Sequence, residues 1–237
     1  MSPLRVSSED ERSCPQGICD GSGWVFGGDM VATPCECRAE RRRRAATRRL
    51  GTGVPKRFRG VSFDRKPLVN LDPALVRHIQ QFMRQIDSHL DDGRGLWFYG
   101  DKGTGKTSLA MLVCQAALDA RRSVAIYSVP HLLASIKHTY GDDSDESYLD
   151  LYERLCSVDL LLLDDLGAEH HTDWVLEQLY SIVNARWQEK RSIIVTTDEP
   201  YERIGEQIGH RTVSRLFEIS QEPIQVMGPD LRIRHSA

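Results

Sequence analysis

With 237 residues the chain has room for one full domain and a small appendage, not two large domains. A hydrophobic content of 40%, a charged content of 27% and a net charge of −3 describe a chain able to build a core, and exclude a uniformly basic nucleic-acid binder. No apolar run approaches the length of a membrane span, and Met1 to Asp10 is polar and acidic without a signal peptide, so a cytoplasmic protein with reduced thiols is expected.

The chain opens with two close cysteine pairs, Cys14 with Cys19 and Cys35 with Cys37. Between them, Asp20 to Gly28 reads as turn, short strand, turn. Thiolates on glycine-rich knuckles can close a tetrahedral Zn²⁺ site at ~2.3 Å per Zn–S bond. The spacings C-x₄-C and C-x-C are looser than the usual C-x₂-C. A metal would also account for the folding of a segment too short to bury a core unaided. Cys114 and Cys156 fall on apolar faces and read as core residues.

A basic run follows, including Arg41, Arg42, Arg43 and Arg44. Ala39 to Leu50 lacks Gly and Pro and is expected to be helical, for docking on an acidic protein surface, for nucleic-acid phosphates, or as a solvated linker. Gly51-Thr52-Gly53-Val54-Pro55 breaks it, dividing a cysteine-rich head at 1–50 from a second domain at 51–237.

In the second domain, Lys56 to Phe63 is an extended lead-in, and Asp72 with Pro73 starts a helix whose apolar positions continue to Leu90. Gly95 to Tyr99 reads as a buried strand. It runs into Gly100-Asp101-Lys102-Gly103-Thr104-Gly105-Lys106-Thr107, which fits the Walker A pattern G-x-x-x-x-G-K-[ST] at every fixed position. Gly100, Gly103 and Gly105 permit the tight turn that aims backbone N–H groups at phosphate, and the helix from Lys106 to Arg122 adds its dipole. Lys106 can reach the β- and γ-phosphates of ATP and Thr107 can hold Mg²⁺, with Thr104 and Ser108 as further nucleotide contacts.

Ser123 to Ser128 is the next strand, then a helix near His131 to Tyr140, the acidic stretch 141–147, and a helix ending near Cys156. The apolar run Val158 to Leu163 ends in Asp164-Asp165-Leu166-Gly167, a Walker B element. Asp164 would enter the Mg²⁺ shell and Asp165 would orient the attacking water, although Asp-Asp before Gly can also cap a helix. A helix from about Asp173 to Lys190, a strand at Ser192 to Thr197 and a short strand at Pro223 to Met227 complete the pattern. Strands alternating with helices give an α/β fold, a doubly wound, mostly parallel sheet with the phosphate loop at its C-terminal edge.

With these motifs in place the chain resembles an AAA+ P-loop NTPase, and more narrowly the bacterial replicative helicase loaders of the DnaC/DnaI type. The likeness runs over residues 53–237 and rests on Val54 to Phe58, Gly100 to Thr107, Leu161 to Gly167 and the segment around Arg211 and Arg215. It implies an ATPase core without a helical lid, with Arg215 and Arg211 offered to a neighbouring AAA+ subunit and Arg232 as a sensor 2 arginine. It also implies a DnaB-type hexameric helicase and single-stranded DNA as partners. The family usually ends its fourth strand in Asn; here Asp198 follows Thr197, so either residue is a candidate γ-phosphate contact. Two other readings stay open: an ATPase helper of transposition of the IstB type, and a nucleic-acid-binding adaptor switched by ATP with little hydrolysis. Tyr140, Tyr148 and Tyr152, with Lys137 and Arg154, are candidate base-stacking and phosphate contacts.

Overall fold

The computed structural model of the protein describes residue 14 and residues 16–26, 31–38, 54–141, 147–169 and 172–230. The expected basic helix at 39–50, the boundary at 51–53, the acidic residues 142–146 and Arg232 lie outside them. Among the described residues, no helix is long and apolar enough to cross a membrane.

In the head, strands β1 (Trp24–Phe26) and β2 (Ala32–Pro34) form an antiparallel hairpin with Trp24 opposite Pro34. Five parallel strands further along the chain form a second sheet: β3 (Leu96–Tyr99), β4 (Val124–Ser128), β5 (Leu160–Asp164), β6 (Ser192–Thr197) and β7 (Ile224–Gln225). Their order across the sheet is β4-β5-β6-β3-β7. The central strands are apolar on both faces, as a sheet covered on both sides requires. Successive side chains alternate between two cores: Trp97, Leu161, Leu163, Ile193 and Val195 enter one, and Phe98, Leu160, Leu162 and Ile194 enter the other.

Helices α1 (Pro73–Arg84), α2 (Ile86–Asp91) and α3 (Lys106–Asp119) cover the second face. Helices α4 (Val129–His138), α5 (Tyr148–Ser157), α6 (Asp173–Gln188), α7 (Tyr201–Ile208) and α8 (His210–Ser220) cover the first. Side-chain caps start several of them. The Asp72 carboxylate accepts from the Ala74 and Leu75 N–H groups, and Ser147 and Thr172 cap α5 and α6; each such cap contributes about 1 kcal/mol.

Three differences from the sequence reading matter. The lead-in is not extended: it makes a 3₁₀ turn at Lys56–Phe58, closed by a 2.8 Å bond from the Phe58 N–H to the Pro55 carbonyl. The apolar stretch up to Leu90 is two helices, because Gln85 leaves helical geometry at φ −106°, ψ 23° and turns Ile86 and Leu90 into the core already formed by Ile79 and Phe82. The residues between β6 and β7 carry no assignment from the sequence, yet form α7 and α8, separated by Gly209 at φ 84°.

One buried cation ties the first face together. Arg186 is fully buried, and its guanidinium donates to the carbonyls of Leu155 (2.6 Å), Ser192 (2.6 Å) and Asp159 (3.4 Å). It thereby joins the end of α5 to the starts of β5 and β6. The planar fork of donors satisfies three backbone acceptors at once, which a lysine could not match geometrically.

Candidate nucleotide-binding site

Strand order assembles the site. Because β6 lies between β3 and β5, the loops leaving all three strands emerge side by side at the sheet's C-terminal edge, where ligands of such sheets bind. Tyr99 pairs with Thr197 and Leu163 with Val195, so Gly100 and Asp198 leave their strands level with one another and Asp164 falls beside Thr196, two residues before Asp198. The phosphate loop follows β3 and feeds α3 at Lys106. Its glycines are required: Gly103 has φ 78°, and a Cβ there would come within 1.8 Å of Asp230 Oδ1. Thr104 is buried and donates to the Asp101 carbonyl at 3.0 Å, bracing the loop. Lys106 is also buried. Its ammonium donates to the carbonyls of Gly100 (2.9 Å) and Asp101 (2.7 Å) and pairs with Asp198 Oδ1 at 2.8 Å.

The Asp-Asp pair after β5 is organised by Thr196 on the neighbouring strand. The Thr196 hydroxyl donates to Asp164 Oδ1 at 2.6 Å and accepts the Asp165 N–H at 3.0 Å. Asp165 is held in left-handed backbone geometry at φ 58°, uncommon for a residue with a side chain. Burial pushes the Asp164 carboxyl above the ordinary carboxylate range, opposed by hydrogen bonds from Thr196 and Thr107. Asp164, Asp165, Asp198, Gly103, Gly105, Lys106, Thr107 and Ser108 line one cleft of about 670 Å³. A threonine hydroxyl beside a buried carboxylate can hold a hard divalent cation, and the loop with its lysine can hold phosphates.

The opposite wall was not foreseen from the sequence. The lead-in wraps back over the cleft, contributing Arg57, Phe58, Arg59, Arg65, Lys66 and Pro67. The signal was available as a cluster of basic residues just ahead of a phosphate loop, which suits an anionic ligand.

Other expected residues lie elsewhere. Thr197 is buried, and its hydroxyl accepts the Glu199 N–H at 3.1 Å, so Asp198 and not Thr197 borders the cleft. Arg211 and Arg215 sit on α8, away from the cleft lining. Arg211 is exposed. Arg215 stacks on the Trp187 ring at 3.6 Å and pairs with Glu218 at 2.9 Å, while Glu218 also accepts from Trp187 Nε1 at 2.8 Å. Of the three tyrosines considered for base stacking, two are packing residues. The Tyr148 hydroxyl bonds Gln178 and that of Tyr152 bonds the Ser181 carbonyl, while Tyr140 is 56% exposed. Lys137 lies over the Trp174 ring at 5.0 Å.

In the head the four cysteine sulfurs, Cys14, Cys19, Cys35 and Cys37, all lie within 4.8 Å of one another. Cys14 to Cys35 is 3.9 Å and Cys19 to Cys37 is 3.5 Å. Four sulfurs at ~2.3 Å from a tetrahedral Zn²⁺ would be about 3.8 Å apart, whereas a disulfide needs about 2.05 Å. The arrangement therefore fits a tetrathiolate metal site. Backbone N–H groups, first that of Cys19, hold the Cys14 thiol down at about 6, whereas, against the Cys37 N–H, burial and the neighbouring sulfurs push the Cys35 thiol up. Arg38, just past Cys37, lies over the Trp24 ring at 3.9 Å.

A family model described as IstB-like ATP binding protein matches residues 28–226. The chain is 28% identical over 137 residues to the replicative helicase loader DnaC of Escherichia coli (strain K12), a match spanning 58% of this chain and 54% of that protein. It is 28% identical over 110 residues to the replicative helicase loader DnaI of Bacillus subtilis (strain 168), spanning 46% of this chain and 34% of that one. The chain thus spans about half or less of the length of these curated relatives. Among solved structures, the crystal structure of the DnaC helicase loader aligns with a TM-score of 0.61 at 24% identity, covering 73% of this chain and 100% of that chain. That likeness is one of fold.

Proposed function

The chain belongs to the IstB-like ATP-binding family, and from that premise we propose that it is an ATP-dependent loader of a hexameric, DnaB-type replicative helicase, delivering the helicase onto single-stranded DNA in the cytoplasm. The observation that carries the reading is the single cleft where Lys106, Thr107, Asp164 and Asp165 meet, in a chain whose matched relatives include two named as replicative helicase loaders.

Residue roles follow from the chemistry. Lys106, Gly103, Gly105 and Ser108 hold the phosphates, Gly100 and Thr104 shape the loop, and Thr107 with Asp164 hold Mg²⁺, which neutralises charge on the β- and γ-phosphates when bound. Asp165 orients the attacking water. Arg215 and Arg211, facing away from their own cleft, serve the cleft of an adjacent AAA+ subunit, and Arg232 contacts nucleotide in cis. Trans contacts of this kind are worth ~10³–10⁵ in rate, so hydrolysis depends on assembly. The head, residues 1–50, is a separate module that grips the helicase, with Cys14, Cys19, Cys35 and Cys37 holding a structural Zn²⁺.

The test is reconstitution. Purified protein with Mg-ATP should form a complex with a DnaB-type hexamer and raise the amount of helicase loaded on single-stranded DNA; neither effect would end the loader assignment. The family description favours a second reading, an ATPase helper of transposition. Stimulation of a transposase, with no effect on a helicase, would establish that reading instead.

A further inference from the structure

Lys106 is the residue expected to meet phosphate, yet its ammonium is fully engaged inside the protein. An ammonium offers three N–H donors. Those of Lys106 have three partners, at 2.9 Å (Gly100 carbonyl), 2.7 Å (Asp101 carbonyl) and 2.8 Å (Asp198 Oδ1). Two of these belong to the phosphate loop itself and anchor the ammonium within it. The third comes from the end of β6, which the sheet order places directly between the phosphate loop and the Asp164-Asp165 pair. The Lys106 side chain is 6% exposed and that of Asp198 is 36% exposed. Asp198 therefore stands on the open side of the ammonium, at the wall of the cleft.

We propose that Asp198 is an exchangeable counter-ion for Lys106: it takes the position a phosphate oxygen would occupy, and a di- or triphosphate binds by displacing it. The proposal rests on the nucleotide-binding reading above and adds a residue that sets the affinity. A carboxylate and a phosphate oxygen cannot share one N–H at full strength, and charge-assisted bonds of this kind are the strong ones. The two carbonyl partners are fixed by the loop backbone, so the carboxylate is the one that yields. Once displaced, Asp198 is a third carboxylate beside Asp164 and Asp165 in the same cleft and repels the incoming anion. Its partial exposure lets water solvate it there. When nucleotide leaves, the carboxylate returns to the ammonium, so the same contact that weakens binding also speeds release.

The exchange is tested with the full chain by measuring binding of ATP, ADP and AMP to wild type, Asp198→Asn, Asp198→Glu and Lys106→Ala, using fluorescent nucleotides and calorimetry. Asp198→Asn should tighten ATP and ADP about tenfold, equivalent to about 1.4 kcal/mol, mainly through slower dissociation. AMP should be unaffected, because the lysine serves the β- and γ-phosphates. Asp198→Glu keeps the charge and should stay near wild type. The Tm of nucleotide-free Asp198→Asn should fall, since Lys106 loses its ionic partner. Unchanged or weaker ATP binding by Asp198→Asn, equal tightening of AMP, or tightening by Asp198→Glu would each overturn the exchange. Those failures are distinct from failure of the nucleotide reading itself, which would appear as no nucleotide binding by any variant, or binding by wild type that Lys106→Ala leaves intact.

Discussion

The nucleotide cleft and the cysteine head both gather polar side chains from distant points in the chain, but different forces hold them. In the cleft, Asp164 at the end of β5, Asp198 just after β6 and Lys106 at the start of α3 are placed by adjacent strands of a five-stranded sheet with a hydrophobic core on each face. Their positions are determined by packing and strand pairing before any ligand arrives. In the head, four sulfurs converge on a hairpin of two three-residue strands in which Ala32 to Pro34 are all exposed. So little burial offsets little of the entropy of ordering the loops, and a metal held by the four thiols would add folding free energy there. One site is held by its packing, and the other offers four thiols for a metal to tie together.

Metal removal gives the sharpest contrast. A structural Zn²⁺ contributes on the order of 10 kcal/mol to its own domain. Chelation or Cys35→Ser should abolish bound zinc and make the head protease-sensitive while leaving ATP affinity unchanged. A fall in ATP affinity on chelation would show that the two regions are coupled. Conversely, Arg186→Met should strike only the sheet domain. It removes the guanidinium donors from the buried Leu155 and Ser192 carbonyls and should cost about 3 kcal/mol in denaturant unfolding, with metal content intact.

Lys106→Ala should weaken ATP at least about 100-fold, roughly 2.7 kcal/mol, measured by calorimetry. Because the site is preformed, the sheet should keep its far-UV circular dichroism. The smaller effect concerns pH. Burial raises Asp164 above the ordinary carboxylate range, and a group so raised favours the protonated form in the folded state. Its contribution to stability is therefore largest at low pH and is lost as pH rises through the raised value. Mg²⁺ requires the carboxylate, so Mg²⁺-dependent ATP binding should fail on acidification at a pH above that of an ordinary aspartate, and Asp164→Asn should remove this titration. Smallest of all, Trp187→Leu removes the ring under Arg215 and should cost about 1 kcal/mol. If Arg215 acts on a neighbouring subunit, this change should alter assembly-stimulated hydrolysis more than ATP affinity.

The phosphate loop is readable in the sequence because its constraint is local: glycines where φ must be positive, a lysine and a hydroxyl at fixed spacing, a strand before and a helix after. The paired cysteines are readable for a related reason, since few roles explain four thiols so close together. Ser192 to Thr197 is legible to the residue because its β-branched run, Ile193 to Thr197, is bounded by charged residues, Arg191 before it and Asp198 after it. Helices α7 and α8 escape notice although their apolar residues are regularly spaced (Ile204 and Ile208, then Val213, Leu216 and Ile219), because each carries few of them and Gly205 and Gly209 read as helix breakers. The lead-in escapes for another reason: its basic residues acquire meaning only when the chain folds back over the cleft.

What the sequence by itself determined, then, is the set of chemical parts: a phosphate cradle, a pair of carboxylates, a four-thiol set and a run of α/β units to carry them. The tertiary structure decided which parts meet. Sheet order placed β6 between β3 and β5, and so set Asp198 against Lys106; helix packing laid Arg215 on Trp187, and the turn after β6 tied the Thr197 hydroxyl to the Glu199 N–H. Residue spacing along the chain carries local geometry, whereas neighbourhood across a sheet depends on the order in which strands pair, which no short motif encodes.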